Sequence, residues 1–384
     1  MSHVSSLYST VANDRRVLHQ IPEIGLQEYK TSHYIKSVLN ELQVEFESFG
    51  DTGVLAYFKG LNPTKTLAFR TDIDALPVTE ESDYPNPSTH EGYMHACGHD
   101  GHMSMMLGLA RYLSLESTQV IDNILLIFQP AEEGPGGAEE MVKQGVLNRY
   151  KVDEIYGIHV FPDVEQGYIG VRAGAMMAMT GEFDIDIYAK SAHGAMPQTG
   201  VDGIVIASEI ILGLQTVISR SISPIQPAVL TVGKLTAGER RNIIAGKARL
   251  EGTIRAFDKS VFEQLKSRMR TYLKGMELAY DVRIELETRD MYPPVVNDHR
   301  LHSEFVSIFK DQVIEIEPQM ISEDFSFYQE QVPGLFYFIG TRNTEKGYVY
   351  PLHNAKFNFD DTILIHGLET YRSVLLHKNS IVEK

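Results

Sequence analysis

The stretch His95-Ala96-Cys97-Gly98-His99-Asp100-Gly101-His102 places one thiol and three imidazoles within eight residues. Cys97 and His99 lie two apart, so in extended backbone both point to one side, as two ligands of one metal cluster must. The plain alternative is a small buried cysteine among unconnected histidines. Three histidines and two glycines at a strand-to-helix turn favour metal binding on ligand chemistry alone. An acidic pair follows in Phe128-Gln129-Pro130-Ala131-Glu132-Glu133-Gly134. Consecutive side chains diverge, so the two glutamates are expected to divide the work, one ligating metal and the other facing the attacking water. A pair of glutamates merely solvated near the N-terminus of a helix at residues 138–143 would read the same way.

His159, at the end of the apolar run Tyr156-Gly157-Ile158, could be an ordinary core histidine, and His353, in Pro351-Leu352-His353-Asn354, an ordinary loop one. Position raises both, because sheet enzymes gather their site residues at strand ends. Two metals sharing Cys, His and carboxylate ligands fit this inventory. Asp72-Ile73-Asp74 is a further acidic pair at a strand end, where Asp74 could accept a hydrogen bond from a ligand imidazole. Glu323-Asp324 could serve similarly, and a turn-shaping role is the alternative for each pair.

Elements able to carry these residues alternate along the first half of the chain. Periodicity predicts a helix over 31–42, strands at 54–58 and 66–70, a helix over 99–113, and strands at 123–128 and 154–160. Apolar strands separated by helices imply an α/β protein with a mixed or largely parallel sheet covered on both faces. From about residue 182 the rhythm changes. An alternating strand at 183–188, an apolar helix at 202–219, strands at 228–232 and 248–254, a helix at 260–277 and a strand at 282–287 give the order β-α-β-β-α-β, the ferredoxin-like pattern. After Tyr292-Pro293-Pro294 the first rhythm resumes, with a strand at 335–339 and a helix at 362–376. The expectation is a catalytic domain built from 1–180 and 290–384, interrupted by a small domain at 181–289.

Composition agrees with two folded domains: 384 residues, 43% of them hydrophobic, suffice for two cores. The formal charge of −16 repels phosphate backbones and anionic lipid, so neither nucleic acid nor membrane is an expected partner. A single cysteine excludes an internal disulfide framework. Residues 1–20 lack the pattern of a signal peptide, and no uninterrupted apolar run approaches the about 18 residues of a membrane span. A soluble cytoplasmic protein is expected.

Taken together, these residues resemble the amidohydrolase branch of the aminoacylase and carboxypeptidase family of dinuclear metallopeptidases. That branch contains N-acetyldiaminopimelate deacetylases, hippurate hydrolases and plant auxin-conjugate hydrolases. The resemblance runs from His19-Gln20-Ile21-Pro22-Glu23 to Leu352-His353-Asn354, through Arg70-Thr71-Asp72-Ile73-Asp74-Ala75-Leu76-Pro77, Met94-His95-Ala96-Cys97-Gly98-His99-Asp100, Pro130-Ala131-Glu132-Glu133 and Gly157-Ile158-His159. It implies two divalent metal ions (zinc, manganese, cobalt or nickel) on Cys97, His99, Glu133, His159 and His353, with Glu132 as general base. It also implies that the inserted ferredoxin-like domain is a lid through which the chain forms a homodimer.

Within the insert, Ser191-Ala192-His193-Gly194-Ala195-Met196-Pro197 looks like the family's lid motif, which sets His193 over the metals of a partner subunit. Arg240-Arg241-Asn242-Ile243-Ile244 and Gly252-Thr253-Ile254-Arg255 look like its substrate-binding segments, with Asn242 and Arg255 holding a substrate α-carboxylate. Gln198 and Ala245 depart from the pattern, where many relatives carry a histidine and a proline. The implied reaction is cleavage of the amide of a small N-acyl-L-amino acid. Glu132 takes a proton from metal-activated water and returns it to the leaving amine, while metal and His193 stabilise the oxyanion. Residues 128–137 and 250–255 look most like the N-acetyl-L-diaminopimelate deacetylases of lysine biosynthesis. A hippurate hydrolase, a broad aminoacylase or a dipeptidase would share nearly every motif, and a metal-bound binding protein without turnover is the reading from outside enzymology. Retention of Glu132 argues against that last one.

Overall fold

The structure, a computed structural model, describes residues 4–384. Thr66–Asp72, apolar through Leu67-Ala68-Phe69, and Asn123–Gln129, apolar from Ile124 to Phe128, contain no Gly or Pro, and both are buried almost end to end. That is the signature of strands covered on both faces. They sit inside an eight-stranded sheet whose spatial order is Glu45–Phe49, Gly53–Phe58, Asn123–Gln129, Thr66–Asp72, Glu154–Glu165, Gly334–Arg342, Ile169–Val171 and Val313–Glu315. The four strands at its centre run parallel to one another, while the Gly53 strand pairs antiparallel on one side and the Ile169 strand on the other. The sheet is therefore mixed. Its register fixes the level of the site residues: Asp72 lies beside Gln129, and Arg70 beside Gly157, which sets His159 about level with Asp72. Asp72 and Gln129 end their strands, whereas His159 does not end its own as the sequence suggests, because that strand runs on to Glu165.

Helix His99–Leu113 is buried on every residue except Arg111, packed between the sheet, Tyr8–His19 and Ile363–His377. Phe69, Leu126, Tyr156, Met105, Leu109, Leu368 and Tyr371 belong to the core they share. The charged and imidazole groups buried in this helix, His99, Asp100 and His102, all lie in its first turn.

Backbone packing divides the chain into two compact units. Among the described residues, one comprises 4–174, 296–317 and 324–384; the other comprises 175–295 together with 318–323, a short return that nothing in the sequence announces. In the second unit, strands Met179–Tyr188, Ala228–Ala237, Lys247–Ala256 and Arg283–Asp290 form an antiparallel sheet in the order Ala228, Lys247, Met179, Arg283. Helices Gly203–Ser221 and Lys259–Tyr280 enter it after Asp202 and Asp258, whose carboxylates cap the free amides of Ile204 and of Ser260 and Val261. Phe183, Ile185, Ile187, Ile210, Leu214, Phe262 and Met269 are in the core of this unit. Along the Met179 strand the residues between these apolar ones carry charge: Asp184 and Asp186 pair with Arg249, and Asp184 with Arg289. Gly203–Ser221 is long and apolar enough by composition to cross a membrane, but Ile206, Ile210, Leu214 and Val217 are buried within this unit.

Candidate metal centre

Two histidines are locked by hydrogen bonds that dictate their tautomer. His99 Nδ1 lies 2.9 Å from the carbonyl of Asp74 and His159 Nδ1 lies 2.6 Å from the carbonyl of Val160. Since a carbonyl only accepts, each Nδ1 carries a hydrogen, which leaves Nε2 as the nitrogen that can face a cation. His99 Nε2 is buried without a hydrogen-bond partner. Burial and the nearby His102 push His159 well below its ordinary value, so it is neutral and ready to ligate. Burial lowers His99 as well, but Asp72, Asp74 and Glu133 outweigh it and push the imidazole up to about 10. A proton there takes the place that a cation would fill.

Cys97 and His99 are not joined by extended backbone. Between them Gly98 turns at φ 85° as the N-cap of the His99 helix, and a Cβ at that position would stand 2.4 Å from a methyl of Val160. The turn still brings the donors together: Cys97 Sγ is 3.4 Å from His159 Nε2. Burial, then the carboxylates of Glu133 and Glu132, push the thiol well above 9.0, so that only a cation would make it a thiolate.

The expected divergence of Glu132 and Glu133 also gives way to local backbone. Ala131 adopts φ 57°, and the chain turns through both glutamates, so a carboxylate oxygen from each and a ring nitrogen of His99 lie within 4.8 Å of one another. Cys97, Glu133 and His353 form an adjoining group of the same dimensions. Glu133 Oε1 is buried without a hydrogen bond, 4.0 Å from His99 Nε2 and at ion-pair distance, 3.1 Å, from His353 Nε2. Burial works against its charge, yet His353 and His99 hold the Glu133 carboxyl below the usual range. His353 arrives on a loop of positive φ whose amide donates to the carbonyl of Ala96, which ties it to the Cys97 turn. Asp74 supports both groups, since its carbonyl faces His99 and its carboxylate accepts the amide of Glu133 at 3.0 Å.

Two buried atoms without hydrogen bonds, His99 Nε2 and Glu133 Oε1, set beside the Cys97 thiol and the exposed imidazole of His353, fit a pair of transition-metal ions. His102 is different. It meets Asp72, His99 and His159 closely enough to look like a ligand, but its Nδ1 donates to Asp72 at 2.7 Å and its Nε2 accepts the amide of Val160 at 2.9 Å. Both nitrogens are spent, and the imidazole ties the Thr66–Asp72 strand to the Glu154–Glu165 strand. Arg70, wholly buried, bridges Asp72 and Asp324 from below, and Asp324 in turn accepts from Gln129 and from the amide of Ala138. Reasoning from sequence misses these jobs of His102 and Arg70. A signal for the first exists in the three-residue step from His99 to His102, which sets both on one helix face.

In the second unit, His193 is exposed on a turn where its Nδ1 accepts the amide of Ala195. It forms a bridge with Ile243, and the amide of Gly194 donates to the carbonyl of Asn242, so the His193 and Asn242 segments run side by side. Arg255 lies apart on the Lys247–Ala256 strand, half-buried, donating to the carbonyl of Ile254 and making no ion pair among the described residues.

Residues 68–377 match the family described as peptidase family M20/M25/M40. The chain is 41% identical over 352 residues to the N-acetyldiaminopimelate deacetylase of Exiguobacterium sibiricum, covering 90% of this chain and 93% of that one. It is 39% identical over 378 residues to the enzyme of the same name from Lactobacillus helveticus, with 96% and 97% covered. Its fold superposes with a TM-score of 0.84 on a dinuclear metal-binding peptidase of the M20 family from Bacillus subtilis, at 32% identity over 97% of this chain and 99% of that one. Donor chemistry, fold and sequence thus agree, and the chain belongs to peptidase family M20/M25/M40.

Proposed function

We propose that the protein is a metal-dependent amidohydrolase that removes the acetyl group of N-acetyl-L-diaminopimelate, a step of lysine biosynthesis. The observation that carries this is the paired donor group around His99 and Glu133, on a chain about 40% identical to deacetylases of that name. Cys97, His99, Glu133, His159 and His353 would hold two divalent ions, which when bound supply Lewis acidity toward water and an amide carbonyl. Glu132, buried beside that site, takes a proton from the attacking water and delivers it to the departing amine. Asp74 fixes the His99 tautomer and the Glu133 backbone. Residues 181–289 act as a ferredoxin-like lid and dimerisation domain, from which His193 donates to the developing oxyanion at a partner's site. Asn242 and Arg255 anchor the substrate's α-carboxylate, the guanidinium offering a bidentate contact. The enzyme works in the cytoplasm as a homodimer.

The test is a panel of N-acetyl-L-diaminopimelate, hippurate and dipeptides on metal-reconstituted protein. The expected order puts N-acetyl-L-diaminopimelate first in kcat/KM, with exhaustive chelation abolishing turnover and added zinc or manganese restoring it. A preference for hippurate would make the protein an aromatic N-acyl hydrolase, and full turnover by metal-free protein would end the metallohydrolase reading.

A further inference from the structure

We propose that Glu28 is a positioning residue that aims Glu132, by holding the turn that carries it from outside the metal centre. The Glu28 side chain is fully buried, and its two oxygens face two different structures: Oε1 accepts the amide of Ala131 at 2.9 Å and Oε2 accepts the hydroxyl of Thr52 at 2.8 Å. It makes no ion pair among the described residues, so no cation offsets its burial. Ala131 is the residue immediately before Glu132 and holds φ 57°, a conformation that a residue with a Cβ adopts only when its surroundings impose it. The carbonyl of Ala131 closes the turn by accepting from Gly136 and Gly137, so its amide is the end that Glu28 fixes.

The rest of the segment braces the same turn. A Cβ on Gly25 would stand 2.4 Å from the carbonyl oxygen of Gly134 and 3.0 Å from Ala131, so backbone lies directly on backbone there. The carbonyl of Glu23 accepts the amide of Ala75, next to the Asp74 that receives the amide of Glu133. Residues 23–28 therefore grip the acidic turn at Ala131 and Gly134 and, through Ala75, the support of Glu133. Glu28 touches neither a metal donor nor any proposed substrate group, and it acts through the direction of its neighbour's carboxylate. A displacement of about 1 Å at such a group costs on the order of 10²-fold in rate.

This inference rests on the amidohydrolase reading, and the experiment separates the two by using whichever N-acyl-amino acid of the panel the wild type turns over best. Glu28→Ala is expected to lower kcat by about 10- to 100-fold with KM within about threefold, full metal content and an unchanged circular dichroism spectrum. Glu28→Gln keeps an acceptor for Ala131 and should restore kcat to within about threefold. Thr52→Val, which leaves Glu28 in place but frees one oxygen, should fall between them and serves if Glu28→Ala does not fold. In a Glu132→Gln background Glu28→Ala should add almost nothing, because the carboxylate it aims is already gone. The proposal is overturned if the loss in a folded variant tracks lost metal, if Gln fails to rescue, if Thr52→Val leaves kcat unchanged, or if the penalty persists undiminished without the Glu132 carboxylate.

Discussion

Replacing Glu132 by glutamine keeps the volume of the side chain and removes its basicity. Glu132→Gln should retain both metals and lose about 10² to 10⁴-fold in kcat. Glu133→Gln should instead lower metal occupancy, since Glu133 is the carboxylate shared by the two donor groups around Cys97 and His99. Metal analysis alongside kinetics distinguishes the two, and occupancy lost from Glu132→Gln but kept in Glu133→Gln would exchange the roles. At this scale much was legible in residue type: Cys97, His99, Glu133, His159 and His353 are scattered along the chain and the structure gathers them. What could not be read was direction. Alternation rules apply to regular backbone, and the left-handed Ala131 and Gly98 abolish it at both the acidic and the Cys-Gly-His motif. His102 was opaque for another reason, because whether an imidazole ligates depends on what occupies its second nitrogen.

Helix His99–Leu113 is tied to Tyr8–His19 through one carboxylate. Asp100 receives Arg15 Nε at 3.1 Å and His19 Nδ1 at 2.8 Å, all three buried, and His19 Nε2 reaches Glu80 at 3.1 Å. Burial pushes Asp100 up, but Arg15 and His19 hold it well below its ordinary 3.8. His19 is pulled down by burial and raised above 6.5 by Asp100 and Glu80. The depressed carboxyl stabilises the fold above about pH 4 and loses that contribution as pH falls through its folded value; the raised imidazole contributes fully below 6.5 and loses it as pH rises through its own. Asp100→Asn should therefore cost on the order of 3 kcal/mol, with the gap to wild type widest between about pH 4 and 6.5. Urea denaturation of metal-stripped protein across pH measures it, and a gap independent of pH would exclude the ionic origin. The strands read at 66–70 and 123–128, observed at 66–72 and 123–129, and the helix at 99–113 were visible in the sequence as apolar runs or 3.6-residue periods. Tyr8–His19 was not, because what it buries includes Asp14, Arg15 and His19, charged residues that hydropathy assigns to the surface.

On the scale of the molecule, the proposed dimer has a surface to test. The Gly203–Ser221 helix leaves Ile204, Val205 and Leu212 exposed, Leu212 by 70%, in a unit whose core already uses the opposite side of that helix. Leu212→Glu with Val205→Glu should shift the protein to monomer in sedimentation equilibrium without unfolding it; an unchanged mass would move the interface elsewhere. If His193 serves a partner's site, inactive His193→Ala and inactive Glu132→Gln subunits should regain activity on mixing and exchange. Persistence of the parental floor after proven exchange would confine His193 to its own chain. The order of elements in 181–289 could be read because its first strand alternates and two helices interrupt the others; the return of residues 318–323 could not, because short irregular segments have no period.

The Glu154–Glu165 strand lies between Thr66–Asp72 and Gly334–Arg342, and the whole of 175–295 separates it in sequence from the second of these neighbours. During synthesis it can pair on one side at once, while its other edge stays open for as long as the ribosome takes to make the insert. That edge is a long row of unpaired amides and carbonyls on a strand with an apolar middle from Ile155 to Phe161 interrupted only by His159, the kind of template that recruits foreign strands. The nascent chain thus passes through a stage in which half of its future catalytic sheet is made and its centre is sticky. Slowing translation within the insert should increase aggregation, whereas supplying residues 296–384 as a separate chain should suppress it.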